Sequence, residues 1–466
     1  MKTPEHILQD LLRLDPDFTA SNDVVITPEL PVFATPVQAD EALAASLAAT
    51  GKIAADLWEI RSGQTQSVEV RTRRAVASSL GHMYVHFEDK TLAPPPRIPL
   101  TERSAFSEFY TTADDRQIFL HAGFETHTPR WCQALACEDN RDAVTQVVAA
   151  HTATALEAKI AQAGLFSGVV RTPQEWDEAA QGQVLASVPV VEIIKIGDSD
   201  PIPLTKEERP LSGIRALDLT RVLAGPVCGR TLAQYGADVL RIGSDRIPDV
   251  PVFMADTGHG KRFAALDLKT PLGKARLHRL ISGADVMVQS YRAGALDRLG
   301  FGPTELAKRK PGLIYTTINC FGHDGPWQGF GGFEQIAQSV TGIAHLARDE
   351  TSARILKLPL TDYTTGYLAA FGTLLALKQR TLHGGSYLVR VSLCRTGMWV
   401  RNFGVVPETV QAAAQDLSVT EVDDFSTVSD TGWGRMHHFA PAIHLSRTPA
   451  HWRLPTVPLG TNAPRW

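Results

Sequence analysis

The sequence predicts an α/β protein whose main element is a doubly wound parallel sheet. Short apolar strands alternate with helical segments through the second half of the chain, at residues 214–219, 237–242, 284–288 and 313–318. Parallel strands joined by helices produce this rhythm, and the ligands of such sheets bind beyond the carboxyl ends of the strands. We therefore expect the loops after Leu219, Val288 and Ile318 to line a ligand site.

The first half of the chain has a different order of elements. An alanine-rich helical pattern at 41–58 precedes an alternating strand pattern at 67–71. Further on, a turn feeding a strand, a helical region and a second strand are predicted at 110–121, 141–164 and 190–196.

Two stretches rich in proline separate these elements. Residues 93–97 form a connector within the first half, and residues 198–210 are the expected domain boundary. The order helix, arginine, glycine turn and Val-x-Val strand occurs at 57–71 and again at 377–392, which predicts an internal repeat.

Length and charge limit the classes of function. A chain of 466 residues is long enough for two or more domains. Its net charge is -4, and the sequence contains no Lys/Arg-rich run. We expect neither a nucleic acid nor an anionic membrane surface as partner. The beginning of the chain lacks an apolar core of signal-peptide length, so the expected location is the cytoplasm.

The cysteines and histidines do not predict a metal site or a disulfide framework. Five cysteines occur without a CxxC pair, and free thiols are expected. The pair His437-His438 has no cysteine or carboxylate neighbour at ligand spacing, so no metal is expected.

Asp362 is the candidate for chemistry on local sequence grounds. Pro359 and Thr361 precede it, and apolar residues follow at helical spacing, so it should be an exposed carboxylate at a helix N-terminus. The helix dipole and unpaired N–H groups should favour its ionised form. This placement suits a nucleophile and a plain N-cap equally, and local sequence leaves both open.

Several catalytic motifs are absent from the sequence. Residues 258–262 lack the upstream glycine of a phosphate loop and carry Arg262 where a Ser or Thr would hold magnesium. No Gly-x-Ser-x-Gly or Gly-x-Gly-x-x-Gly pattern occurs, which argues against a Ser-His-Asp hydrolase and a dinucleotide enzyme.

Seven ordered segments resemble the family III CoA-transferases, which include formyl-CoA and carnitine CoA-transferases and the related α-methylacyl-CoA racemases. The segments are 211–226, 236–242, 260–262, 266–269, 290–300, 321–326 and the stretch around Asp362. The resemblance implies a Rossmann-like parallel sheet with a second, smaller α+β domain, and a homodimer of interlocked chains. It also implies an acyl-CoA thioester and a carboxylate acceptor as substrates, with no permanently bound cofactor.

The same resemblance implies an unusual order of the halves. Residues 1–205 are similar to the later part of the family and form a partial unit that includes the small domain. Residues 206–466 are similar to the front part, the Rossmann-like domain with the catalytic aspartate. We therefore expect the first half to pack against the second and complete it, within one chain or across a dimer.

The resemblance also implies the site residues. The catalytic aspartate falls on Asp362, and a glutamate associated with the transferase site falls on Glu334. The positions that correspond to CoA contacts are Val222, Leu223, Ala224, Leu266, Lys269, Tyr291, Arg292, Ala295 and Arg298.

Some positions depart from the family pattern. Ser244 and Ser290 replace a basic residue and an asparagine, a glycine-rich lid loop is missing, and Phe333 stands where racemases carry a histidine. Three hypotheses follow. They are a CoA-transferase acting through an aspartyl anhydride and an aspartyl-CoA thioester, an acyl-CoA racemase or isomerase, and a non-catalytic CoA-binding paralogue.

Overall fold

The computed structural model describes residues 1–19, 23–91, 104–247 and 249–466. The proline-rich connector at 93–97 lies outside the described residues. The helices are α1 (Pro4–Leu12), α2 (Ala39–Ser62), α3 (Thr72–Ser79), α4 (Gly81–Tyr84), α5 (Thr128–Leu135), α6 (Arg141–Ala149), α7 (Ala153–Gln162), α8 (Pro173–Glu178), α9 (Ala180–Ala186), α10 (Ala224–Gln234), α11 (Pro251–Thr257), α12 (Pro271–Ser282), α13 (Pro303–Arg309), α14 (Glu334–Val340), α15 (Ile343–Leu346), α16 (Leu360–His383), α17 (Leu393–Arg401), α18 (Glu408–Gln411) and α19 (Val419–Phe425).

Within the described residues, the strands belong to one large sheet and three small ones. They are β1 (Val24–Thr27), β2 (Val68–Arg71), β3 (His86–Phe87), β4 (Phe109–Thr111), β5 (Gln117–His121), β6 (Phe166–Val169), β7 (Glu192–Gly197), β8 (Arg215–Leu219), β9 (Asp238–Gly243), β10 (Lys261–Ala265), β11 (Val286–Gln289), β12 (Ile314–Asn319), β13 (Ser386–Ser392), β14 (Ser426–Thr431), β15 (Gly434–Phe439) and β16 (Ile443–Leu445).

The large sheet has the order β10-β9-β8-β11-β12-β13-β7. All neighbours are parallel except β7, which runs antiparallel to β13. The chain proceeds outward from β8 to β10, returns to β11 beside β8, and proceeds outward in the other direction. This is the Rossmann-like doubly wound sheet that the sequence predicts, with its topological switch point between β8 and β11.

Helix α16 is the central element of the fold. Its residues 360–381 are all buried, and it contacts β12, β13, α2, α10 and α17. Glycines permit this close packing, because a Cβ on Gly366 would lie 2.6 Å from the carbonyl oxygen of Ala224. A Cβ on Gly372 would similarly lie 2.6 Å from the Val191 side chain.

The first half of the chain packs directly against this helix. Helix α2 is buried over most of its length and lies along α16, and β7 extends the large sheet at its β13 edge. The predicted packing of the first half on the second is therefore confirmed within one chain. The predicted repeat is also reflected in the structure, because α2, Gly63, β2 and α3 follow the same order as α16, Gly384, β13 and α17.

The smaller α+β domain predicted from the resemblance is present. Strands β4, β5 and β6 form an antiparallel sheet, and α5, α6 and α7 cover it around a separate core that includes Phe106, Trp131 and Leu156. This domain contacts α14, since a Cβ on Gly168 would lie 3.2 Å from the Ile336 side chain. The small domain thus lies beside the helix that carries Glu334.

The remaining sequence expectations concern thiols, metals and membranes. All five cysteines are free thiols, as predicted. Within the described ranges, no cluster of three His, Cys, Asp or Glu side chains has the arrangement of a metal site. In the same ranges, no helix combines the length and the apolar content needed to cross a bilayer.

Candidate functional site

The predicted ligand loops lie at one edge of the large sheet. Strands β8, β10, β11 and β12 are parallel, so the loops that follow them emerge on the same side. Two of these loops are connected across the switch point, because the Arg221 backbone N–H donates to Ser290 Oγ at 3.2 Å. A crevice at such a point is the usual ligand site of a doubly wound sheet.

The loop after β8 has a strained backbone and approaches Asp362. Val222 has φ of 69°, a left-handed conformation that a β-branched residue rarely adopts. Leu223 is the N-cap of α10, and Ala224 is its first residue. Since the carbonyl of Ala224 packs on Gly366, this loop lies about one helical turn from Asp362.

Glu334 caps the helix that carries Asp362. Its carboxylate accepts hydrogen bonds from the backbone N–H groups of Thr361 (2.9 Å) and Asp362 (2.5 Å) and from the Thr361 hydroxyl (2.7 Å). Gln338 Nε2 donates a further bond at 2.7 Å. The N-cap residue of α16, Pro359, provides no side-chain bond, so the cap comes from another helix.

Two expectations about Asp362 are wrong. Asp362 lies in the first turn of the helix as predicted, but the residue is only 7% exposed, and it is the third helical residue rather than the N-cap. The plain N-cap interpretation therefore fails. Sequence alone could not exclude it, because the cap comes from Glu334, 28 residues earlier in the chain.

The expectation that the helix N-terminus favours ionised Asp362 is also wrong. Burial raises the pKa of Asp362 well above its usual value, and the neighbouring Glu334 raises it further. The N–H groups expected to stabilise the charge already bond to Glu334. Burial likewise raises the pKa of Glu334, against the lowering effect of its hydrogen bonds from Gln338, Thr361 and Asp362.

The other residues implied by the resemblance are spread along the same edge. Leu266 is buried after β10, and Lys269 is exposed nearby. Strand β10 lies two strands from β8, so this pair is about 10 Å from the switch point. Both residues therefore follow a strand two places away from the loop that carries Val222, Leu223 and Ala224.

The loop after β11 lies at the switch point itself. The Tyr291 N–H donates to Gln289 Oε1 at 2.7 Å, and burial raises the pKa of the Tyr291 phenol. Arg292 reaches the small domain, where its Nη2 donates to the carbonyl of Gly164 at 3.0 Å. Ala295 is half-buried and Arg298 is exposed.

A cavity of about 230 Å³ lies between α7 and the segment that precedes α14. Its wall is partly apolar, with Leu165, Phe321, Trp327 and Phe330, and it ends at Gly331, three residues before Glu334. It offers room for an apolar group beside the segment that leads into α14.

Sequence reasoning missed three basic residues near this crevice. Arg221 directly precedes Val222, so its place at the end of β8 was a usable signal. His127 and Arg130 come from the small domain, and nothing in their local sequence marks them as neighbours of the sheet edge. Both lie close enough to Arg292 for the charges to interact.

The comparison with known families agrees with this arrangement. The chain matches the model of CoA-transferase family III over residues 23–201 and 211–423. The chain belongs to this family. The match to CoA-transferase family III covers both halves of the chain, and its second segment contains Glu334 and Asp362.

Two relatives and one solved structure illustrate the similarity. An acyl-CoA transferase of Gibberella moniliformis is 32% identical over 270 residues, which are 55% of this chain and 48% of that protein. The acetyl-coenzyme A transferase nodX of Hypoxylon pulicicidum is 32% identical over 336 residues, 66% of this chain and 56% of that protein. A crystal structure of Rv3272 from M. tuberculosis has a TM-score of 0.40 at 28% identity, covering 42% of this chain and 56% of that one. The chain spans about half the length of the relatives it matches.

Proposed function

We propose that this chain moves CoA between an acyl-CoA thioester and a carboxylic acid, with Asp362 as the nucleophile. The observation that carries the proposal is the position of Asp362, buried at the start of α16 beside Glu334 and next to the loop of Val222, Leu223 and Ala224. The acyl-CoA transferase and acetyl-CoA transferase named among the relatives support the same reaction class. CoA thioester is substrate here, and no permanently bound cofactor is part of the proposal.

The reaction proceeds through two covalent species. A carboxylate oxygen of Asp362 attacks the thioester carbonyl, the C–S bond breaks, and CoA leaves as a thiolate from a mixed anhydride. The thiolate then attacks the aspartyl carbonyl, which releases the donor carboxylate and leaves an aspartyl-CoA thioester. An acceptor carboxylate repeats these steps in reverse, forming the new acyl-CoA and regenerating Asp362, with no net proton or electron transfer.

The surroundings of Asp362 suit this chemistry. Burial makes the ionised carboxylate costly, as its raised pKa indicates, so a step that consumes the charge relieves that cost. Glu334 holds the backbone of Thr361 and Asp362 and acts as a positioning residue.

A screen of acyl-CoA and carboxylate pairs tests the reaction class. We expect at least one pair to exchange CoA, and we expect Asp362→Ala to abolish that exchange while keeping the native circular dichroism spectrum. CoA binding without turnover of any pair would favour the non-catalytic paralogue instead.

A second candidate is an acyl-CoA racemase or isomerase, which needs bases on both faces of the α-carbon. Phe333 replaces the histidine of racemases, but His121 of β5 stacks on the Phe333 ring with centroids 4.4 Å apart. The His121 imidazole, contributed by β5, therefore lies beside the position where racemases carry their histidine. Incorporation of solvent deuterium at the α-carbon of a 2-methylacyl-CoA would favour this candidate, and its absence would favour the transferase.

The proposal extends to the assembly. Each chain would consist of two family units, residues 1–205 and 206–466, and two chains would form a homodimer, as the family resemblance implies. The charge pattern supports a cytoplasmic protein without nucleic acid or membrane partners. Light scattering during size-exclusion chromatography checks the homodimer, and a mass of a single chain would contradict it.

A further inference from the structure

A chain of three buried polar side chains is anchored in the first turn of α16. The Tyr363 hydroxyl donates to Asp256 Oδ2 at 2.8 Å, and Arg230 Nη1 donates to Asp256 Oδ1, also at 2.8 Å. Asp256 belongs to α11 and Arg230 to α10. Tyr363 directly follows Asp362 in the sequence. The chain therefore connects the helix of Asp362 to the helix that begins at the loop after β8.

The charges in this chain compensate each other in the protein interior. Tyr363 is fully buried, and Asp256 and Arg230 are 3% and 6% exposed. The Arg230 guanidinium also lies 5.8 Å from the centre of the Tyr363 ring and 5.6 Å from that of Trp452. Burial and the Asp256 carboxylate raise the pKa of the Tyr363 phenol, so the hydroxyl keeps its proton and donates it. A buried hydrogen bond to a carboxylate is stronger than one between neutral groups.

The first turn of α16 is thus held by two carboxylates from different helices. Glu334 accepts hydrogen bonds from its backbone N–H groups, and Asp256 accepts one from the Tyr363 side chain. Neighbouring side chains point about 100° apart around a helix, so the Tyr363 bond restricts rotation that would move Asp362. A misplacement of about 1 Å in a reacting group can cost about a hundredfold in rate.

The first half of the chain packs against the same carboxylate. A Cβ on Gly81, the first residue of α4, would lie 2.8 Å from Cγ of Asp256. The ring of the next residue, His82, lies 6.3 Å from the Tyr363 ring. The backbone of α4 therefore limits the positions that the Asp256 side chain can take, and a larger residue at position 81 would displace it.

We propose that Tyr363 and Asp256 are positioning residues that fix the orientation of Asp362 towards the thioester, and that Gly81 of the first half keeps Asp256 in place. This proposal rests on the proposed function. Neither Tyr363 nor Asp256 touches the substrate in this account, and both act through the first turn of α16.

Tyr363→Phe tests the role, with Tyr235→Phe as the matched control. The buried Tyr235 hydroxyl lies at the other end of α10 and is hydrogen-bonded to Thr50 Oγ1 at 2.7 Å. Each variant loses one buried hydroxyl and keeps its ring. Tyr363→Phe should lower kcat at least about tenfold with little change in KM for the acyl-CoA, whereas Tyr235→Phe should keep the wild-type kcat. Asp256→Asn is less suitable, because it would leave the Arg230 charge unpaired in the interior.

Hydrogen exchange measured by mass spectrometry provides a readout that does not depend on turnover. The backbone N–H groups in the first turn of α16 should exchange faster in Tyr363→Phe than in the wild type, and Tyr235→Phe should leave their exchange unchanged.

Gly81→Ala tests the contribution of the first half. This variant should also lower kcat, and the double variant with Tyr363→Phe should lose no more kcat than the more damaging single variant, because both changes act through Asp256. A wild-type kcat in Gly81→Ala, or losses that add in the double variant, would overturn this part of the proposal.

Failure of this proposal and failure of the proposed function give different results. A wild-type kcat in Tyr363→Phe, or equal losses in Tyr363→Phe and Tyr235→Phe, overturns the positioning role and leaves the transferase proposal standing. A wild type that exchanges CoA between no pair of substrates overturns the transferase proposal and the positioning role with it.

Discussion

At the scale of single residues, the buried carboxylates of Glu334 and Asp362 destabilise the folded state at the candidate site. The Glu334 carboxylate accepts four hydrogen bonds, whereas Asp362 is buried beside it with a raised pKa. A buried carboxylate whose pKa is raised destabilises the folded state wherever the group is ionised.

Asp362→Asn should therefore stabilise the protein at alkaline pH. At pH values between the unfolded and the folded pKa of Asp362, the folded state binds more protons than the unfolded state. The free energy of unfolding of the wild type therefore falls as pH rises through this range, and the Asn variant lacks this fall. The melting temperature of the variant should exceed that of the wild type at pH 8, and the difference should shrink towards acid pH. A difference independent of pH would contradict the raised pKa.

Glu334→Gln should lower stability and shift the pH dependence of activity. The NH2 group of the glutamine would face hydrogen-bond donors that the Glu334 carboxylate accepts from. This mismatch should lower the free energy of unfolding by about 1–3 kcal/mol. Removing the neighbouring charge should also lower the pKa of Asp362, so the acid limb of kcat/KM should move to lower pH. Urea denaturation and a pH–rate profile measure the two effects, and an unmoved limb would show that Glu334 does not influence Asp362.

The sequence predicted some of these residue properties and not others. Pro359 and Thr361 placed Asp362 at a helix start, because these signals are local. Its burial and the cap from Glu334 depend on contacts between separate helices, so no local pattern contains them. The position of Arg130 beside Arg292 was hidden for the same reason, because it depends on the packing of the small domain.

At the scale of elements, the large-sheet strands predicted at 190–196, 214–219, 237–242, 284–288 and 313–318 lie within about two residues of the observed ones, whereas β10 was not predicted. The segment predicted at 237–242 is Asp238–Gly243, and that predicted at 313–318 is Ile314–Asn319. Parallel strands buried on both faces read as continuous apolar runs, which makes them visible in sequence. The connection between the loops after β8 and β11, through Arg221 and Ser290, was not predicted.

Gly366→Ala should separate α10 from α16. The new Cβ would lie 2.6 Å from the Ala224 carbonyl oxygen and 2.7 Å from Val227, so the helices must move apart. Such overpacking costs about 1–3 kcal/mol in the free energy of unfolding, and displacement of Val222 to Ala224 should raise KM. Gly329→Ala is the control for stability, since no atom lies within 4 Å of its Cβ position. Equal stability of both variants would show that the helix contact tolerates a methyl group.

At the scale of the whole molecule, the two halves share one buried core. Lys378 Nζ in α16 lies 2.6 Å from Asp15 and 2.8 Å from Asp56, both in the first half. These ion pairs are largely buried, and removing one partner from a buried pair is costly. The apolar contact between α2 and α16 adds to this dependence.

Residues 207–466 expressed alone should therefore be insoluble or molten. Without the first half, the α2-facing side of α16, the free edge of β13 and the Lys378 ammonium would all be exposed. Co-expression with residues 1–206 should restore a soluble complex, as judged by size-exclusion chromatography. A folded 207–466 fragment that binds CoA would show that the first half is an independent appendage.

Covalent trapping at Asp362 tests the central proposal most directly. The protein is incubated with an acyl-CoA that it turns over, then treated with hydroxylamine or borohydride, and its peptides are analysed by mass spectrometry. Both reagents react with an anhydride or thioester carbonyl, so the peptide that contains Asp362 should carry the modification, and Asp362→Asn should not. Turnover without modification at Asp362, or near-normal turnover by the Asn variant, would contradict its role as nucleophile.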